Sequence, residues 1–140
     1  MDTFIGCSVI VYDDDRRVLI AQRSKIKKKF PLKWETIGGS LEPGETPEEC
    51  IRRETKEEIG CELHELRLFN VYVERIGNEQ HILIAYTGRV KDRIEPNCEI
   101  KNVQWITESD VETYEFYAIS CKNKIYEFFR NYKNIDTCSV

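Results

Sequence analysis

The chain has 140 residues, of which 41% are hydrophobic and 33% charged, with only 7 Gly and 4 Pro. That length suits one domain that buries about two thirds of its unfolded surface, and the composition excludes a disordered chain or a fibrous repeat. Lys plus Arg number 21 against 25 Asp plus Glu, a net charge of −4, which argues against a general binder of polymeric nucleic acid or of membrane surfaces.

The longest apolar stretches, Cys7–Tyr12 (interrupted by Ser8) and Ile82–Tyr86, fall far short of the roughly 18 residues a membrane span needs. The start, Met1-Asp2-Thr3-Phe4, carries an acid where a secretory signal carries basic residues, so a cytoplasmic location is expected. Six cysteines, Cys7, Cys50, Cys61, Cys98, Cys121 and Cys138, are scattered without a C-x-x-C pair, and the expectation is buried free thiols.

In chain order, Phe4–Tyr12 reads as a buried strand, Asp13-Asp14-Asp15-Arg16 as a turn and Val18–Gln22 as a returning strand, which together predict a hairpin. Arg23 to Lys33 is a basic loop with six cationic side chains and no acid. Trp34–Ile37 is expected as a short strand ending at Gly38-Gly39. Thr46-Pro47-Glu48-Glu49 marks a helix start: Thr46 can cap, Pro47 suits the first turn and Glu49 completes a capping box. Gly60 can take the left-handed position that closes the helix. Leu66–Val73 and His81–Thr87 read as strands joined through Ile76-Gly77-Asn78, and Asn102–Ile106 as another. Thr107–Asp110 opens a helical stretch, and Tyr114–Tyr132 has the apolar spacing of a C-terminal helix. The order β-β-β-α-β-β-β-α predicts an α+β or α/β sandwich in a single domain, 1–140.

Seven glutamates, at 42, 45, 48, 49, 54, 57 and 58, fall within 17 residues. A solvated helix face would explain such a cluster, but helical geometry places Ile51, Thr55 and Ile59 on one stripe that must face the core. Glu54, Glu57 and Glu58 then share a neighbouring arc of about 100°, crowded toward the interior. Like charges in that arrangement repel unless a cation sits among them, and a hard divalent ion such as Mg²⁺, with Mn²⁺ as a substitute, suits carboxylate oxygens and bound phosphates. The basic loop, Arg23 and Lys33 included, offers phosphate partners. His64 and His81 read as structural.

Gly39, Glu45 after five residues, and Arg53-Glu54-Thr55-Lys56-Glu57-Glu58-Ile59-Gly60 after seven more resemble the Nudix box, here 39–61, with Thr55 and Cys61 at two positions the pattern fills with aliphatic residues. The resemblance implies a Nudix αβα sandwich, with a mixed β-sheet between helices, and a divalent-metal-dependent hydrolase of nucleoside diphosphate derivatives. It assigns Glu54, Glu57 and Glu58 to the metal, with Glu54 also orienting or deprotonating water, and adds the Gly38 carbonyl as a ligand. It makes Glu45 and Arg53 the brace of the loop, and places Gly38, Gly39, Arg23 and Lys33 at the substrate. Glu99, six residues before Trp105, stands where the MutT-like branch has an additional catalytic, metal-binding glutamate. The branch implies a small-molecule nucleotide substrate, foremost a (d)NTP cleaved to (d)NMP and pyrophosphate, with ADP-ribose or a nucleotide sugar as alternatives. The asparagine that reads an oxidised guanine in that branch has no clear match around Tyr114–Asn123. Arg23–Trp34 also resembles the isoprenoid-diphosphate isomerase branch, yet no Cys lies between Trp34 and Glu45 where that chemistry needs one. A non-catalytic nucleotide sensor is the alternative of another class. A homodimer is compatible with the sequence.

Overall fold

The computed structural model describes residues 1–132; Cys138 and the end of the chain lie outside the described residues. Seven strands run in two sheets. The first holds β1 (Asp2–Val11), β4 (Ile37–Ser40), β5 (His64–Ile76) and β6 (Glu79–Arg89) in the order β4-β1-β6-β5, and the second holds β2 (Val18–Arg23), β3 (Trp34–Glu35) and β7 (Ile100–Ile106) in the order β3-β2-β7. Strands β1 and β6 pair in parallel, whereas every other pairing is antiparallel, so the first sheet is mixed. Among the described residues two α-helices, α1 (Pro47–Ile59) and α2 (Ile119–Arg130), accompany the sheets.

The alternation of side chains along the central strands separates the core into two layers. Cys7, Val9 and Val11 of β1, with Leu19 and Ala21 of β2, pack with Cys50, Ile51 and Ile59 of α1. Their neighbours Ile10, Tyr12, Val18 and Ile20 face the opposite side, against Ile125, Phe128 and Phe129 of α2. Burial on both faces explains why these strands read as continuous apolar runs. Each fully buried Ile or Val contributes about 1.5–3 kcal/mol over its exposed state.

The expected hairpin of the first two strands does not form. β1 and β2 belong to different sheets, and among the described residues the backbone bridge between their ends is Tyr12↔Val18. Asp13 accepts hydrogen bonds from the backbone N–H groups of Asp15 and Arg17, and Arg16 sits at φ 59, so the turn leads the chain from one sheet into the other. The expected strand Trp34–Ile37 is likewise split at Thr36: β3 pairs with β2, and β4 pairs with β1. The C-terminal helix begins at Ile119 rather than Tyr114. Before it come a 3-10 segment, Glu108–Thr113, and an extended stretch in which Trp34 N–H donates to the Glu115 carbonyl at 2.9 Å and Phe116 bridges Trp34. That pairing uses backbone groups a helix would have consumed.

Helix α1 matches its sequence signals. Thr46 Oγ1 accepts from Glu49 N–H at 3.2 Å, Glu49 Oε1 accepts from Thr46 N–H at 3.1 Å, and Gly60 closes the helix at φ 72. Thr55, one of the two departures from the aliphatic pattern, is fully buried and donates its hydroxyl to the Ile51 carbonyl at 2.7 Å. This bond satisfies the one polar atom that position introduces into the core. Four cysteines, Cys7, Cys50, Cys61 and Cys121, are buried free thiols as expected, but Cys98 is exposed on the loop before β7. No helix among the described residues is long and apolar enough to cross a membrane.

Candidate active site

Strand β4 ends against the first two turns of α1, and Arg53 ties the two together. Its Nε and Nη2 donate to both oxygens of Glu45, at 3.0 and 2.7 Å, and Nη2 also reaches the Ser40 carbonyl at 3.2 Å. Glu45 Oε1 accepts in addition from Glu42 N–H at 2.8 Å. Strand end, loop and helix are thus joined through one guanidinium in a bidentate pair, whose planar fork matches the carboxylate. These bonds, those from Arg53 foremost, hold the Glu45 carboxyl down at about 2.

The same guanidinium positions the glutamates. Arg53 Nη1 donates to Glu54 Oε1 at 2.9 Å and to Glu57 Oε2 at 3.2 Å. Glu58 is 8% exposed and accepts from Gly38 N–H at 3.2 Å. Burial pushes its carboxyl up to about 9, with the charges of Glu35, Glu54 and Glu99 acting the same way. Burial is also the main cause that raises Glu54, opposed by Arg53. The lack of a Cβ at both glycines makes room for this packing. A Cβ on Gly39 would collide with the Glu54 carboxylate, and one on Gly38 would run into the backbone of Cys7 and Ser8.

Among the described residues no three His, Cys, Asp or Glu side chains form a ready-made metal cage, because Arg53 lies between Glu54 and Glu57. The donor chemistry nevertheless fits a hard divalent cation. Glu54, Glu57 and Glu58 offer only carboxylate oxygens, and Glu58 is buried beside like charges that a cation would offset.

Gly38 and Gly39 open onto a cavity of about 860 Å³ that also takes in Arg23, Lys29, Glu35 and Lys124. Arg23 Nη1 pairs with Glu35 at 2.7 Å, and its Nε holds the Lys29 carbonyl at 3.0 Å, so it fixes the basic loop as well as facing the cavity. Lys33 points away to Glu115 at 2.6 Å, and Lys29 lines the cavity in its stead. Glu99 pairs with Lys27 at 3.3 Å; its loop docks on the end of α1 through Asn97 N–H to the Glu58 carbonyl, which brings its charge near Glu54 and Glu58. His81, expected to be structural, lines the cavity and stacks on Phe4 with ring centroids 5.3 Å apart. Sequence reasoning missed Glu35, Thr36, Ser8 and Lys124. Lys124 had a signal: it occupies an apolar position of the α2 stripe, between Cys121 and Ile125.

A mixed sheet flanked by helices, with a glycine-rich strand end facing a carboxylate-bearing helix across an arginine brace, defines the class. The chain belongs to the NUDIX domain family, whose profile matches residues 3–127. It is 32% identical to an isopentenyl-diphosphate Delta-isomerase of Nocardia farcinica over 74% of this chain and 63% of that protein. It is 26% identical to the nucleoside triphosphatase NudI of an Enterobacter species over 79% of this chain and 86% of the relative. The fold is that of a MutT protein from Methanosarcina mazei, with a TM-score of 0.79 and 19% identity across 94% of this chain and 96% of the other.

Proposed function

We propose that this chain is a divalent-metal-dependent hydrolase of phosphoric anhydrides in nucleoside diphosphate derivatives, foremost converting a (d)NTP to (d)NMP and pyrophosphate. The observation that carries the reading is the continuity of the cavity. One wall is Gly38 and Gly39, backed by Glu54 and Glu58; another carries Arg23 and Lys29; the rest mixes aromatic with aliphatic and polar side chains, and the volume is large enough for a nucleoside.

In this reading Glu54, Glu57 and Glu58, with the Gly38 carbonyl, would hold Mg²⁺ or Mn²⁺, which would supply neutralisation of phosphate charge and a more acidic water. Glu54, fixed by Arg53, orients the attacking water or takes its proton, and Glu99 is a further carboxylate at the same end. Arg53 and Glu45 act through position alone. Arg23 and Lys29 bind phosphate oxygens, and a triphosphate offers them more negative charge than a diphosphate joined to a neutral sugar. ADP-ribose or a nucleotide sugar is the runner-up. The intact set of Glu45, Glu54, Glu57 and Glu58, assembled around Arg53, supports an enzyme over a nucleotide sensor.

A panel of nucleoside triphosphates, ADP-ribose and nucleotide sugars with Mg²⁺ tests the reading through released pyrophosphate and nucleotide products. A tenfold advantage in kcat/KM of ADP-ribose or a nucleotide sugar over every triphosphate reverses the ranking, and no turnover with any of them leaves the sensor. The likeness to the Nocardia isomerase favours a second reading, allylic isomerisation of an isoprenoid diphosphate. Cys7 lines the cavity, but no Cys lies between Trp34 and Glu45. Incubation with isopentenyl diphosphate and chromatography for the dimethylallyl product decides it.

A further inference from the structure

One fully buried polar group in the cavity wall has no part in the chemistry above. Lys124 is 1% exposed, and no carboxylate pairs with it among the described residues. Its Nζ donates to Ser8 Oγ at 3.1 Å and to Thr36 Oγ1 at 2.8 Å. The three residues reach the cavity from separate elements: Ser8 from β1, Thr36 from the switch between β3 and β4, and Lys124 from α2. Ser8 and Lys124 each stand within an otherwise apolar buried stripe, so ordinary packing would place a hydrophobic residue at both.

The cluster holds more donors than acceptors. An ammonium carries three protons and no lone pair, and each hydroxyl adds a proton of its own. Only the two bonds from Nζ are made inside the cluster, and among the described residues no acceptor meets the Ser8 or Thr36 hydroxyl protons. Burial pulls the Lys124 amine below its ordinary range, opposed by Cys121 and Glu35. The excess of donors belongs to the ammonium form, which a ligand oxygen seated on Nζ would itself favour. Buried donors without acceptors are costly, so such a cluster suits a cavity that receives an acceptor from a ligand.

The surroundings define that ligand. Phe30 and Tyr117 lie on the cavity wall with ring centroids 5.4 Å apart and planes tilted by 49°, and Phe4 stacks with His81. Aromatic walls fit a planar heterocycle, and Arg23 and Lys29 stand elsewhere on the same cavity for the phosphates. Resting on the nucleotide reading above, we propose that Ser8, Thr36 and Lys124 form a donor site that selects nucleobases presenting a carbonyl oxygen over those presenting an amino group. An amino group at the same place brings no lone pair to the remaining Nζ proton and finds only hydroxyl oxygens that already accept from Nζ, so its rejection comes from the ammonium proton left unpaired.

Matched pairs isolate this one group: inosine against adenosine and uridine against cytidine, as α,β-methylene triphosphate analogues that bind without being cleaved there. Calorimetric titration in Mg²⁺ should show the carbonyl member of each pair bound about tenfold or more tighter by the natural protein. Lys124→Met, similar in length and apolar, should bring the two members of each pair together. Thr36→Val and Ser8→Ala should each narrow the gap, and they serve as the test if Lys124→Met does not fold. Equal affinities within both pairs, or a preference that survives these substitutions, overturns the assignment and leaves the hydrolase reading standing. Failure of all four analogues to bind defeats both.

Discussion

The substitution Gly39→Ala separates catalysis from folding. The added Cβ falls well inside van der Waals contact with the carboxylate carbon and both oxygens of Glu54. Restoring normal contact takes a displacement of about 1 Å, since non-bonded carbons settle near 3.5 Å or beyond. The obstacle is the far end of a flexible side chain, so the backbone need not move and stability should fall little. A catalytic carboxylate displaced by about 1 Å costs on the order of 100-fold in rate, equivalent to about 2.7 kcal/mol of barrier. Pyrophosphate release under saturating Mg²⁺ should therefore show kcat reduced about 100-fold, with KM little changed and the melting temperature within a few degrees of the natural protein. Gly38→Ala gives the contrast, because its Cβ meets the Cys7 carbonyl and Ser8 Cα, backbone that cannot yield without spreading β1 from β4. That variant should lose stability first. Full activity in Gly39→Ala would refute the placement of Glu54 at the reacting centre, and a collapse of its melting temperature would refute the argument that the side chain yields.

Glu57→Gln and Glu58→Gln should each preserve folding and lower turnover about 100-fold or more through lost charge at the metal; unchanged turnover in both removes them from the site. Arg53→Ala strands the Glu45 carboxylate and frees Glu54, so rate, melting temperature and Mg²⁺ affinity should all fall; a drop in rate alone would contradict the bracing role. Glu45 has a folded value below its ordinary one, so its stabilising contribution is complete above about 4.5 and fades as the pH falls toward about 2. The melting-temperature gap between the natural protein and Glu45→Gln should accordingly be widest above pH 5 and shrink below pH 4, and a gap independent of pH argues against the pair. With Cys98 exposed and Cys7, Cys50, Cys61 and Cys121 buried, a thiol reagent should label Cys98 rapidly and the buried four only on denaturation, where the total for the chain approaches six; a denatured count near zero would overturn the expected reducing compartment.

Local signals carried the helix and the placement of its carboxylates. Thr46, Pro47, Glu49 and Gly60 act within a few residues of themselves, and the 100° step of a helix places Ile51, Thr55 and Ile59 inward and Glu54 and Glu58 beside them whatever the rest of the chain does. The spacing from Gly39 to Gly60 was legible through its resemblance to the Nudix box. Strand partners were not, because an apolar run buried on both faces fits any neighbour of similar length. Only the tertiary structure sent β1 and β2 into different sheets, cut Trp34–Ile37 in two at Thr36, and held Tyr114–Ala118 extended against Trp34. The same long-range packing chose Lys29 over Lys33 for the cavity and brought Ser8, Thr36 and Lys124 together across 116 residues of chain. Composition and spacing fix which groups are available; which of them share one buried volume is settled by packing between distant segments, where each contact depends on all the others.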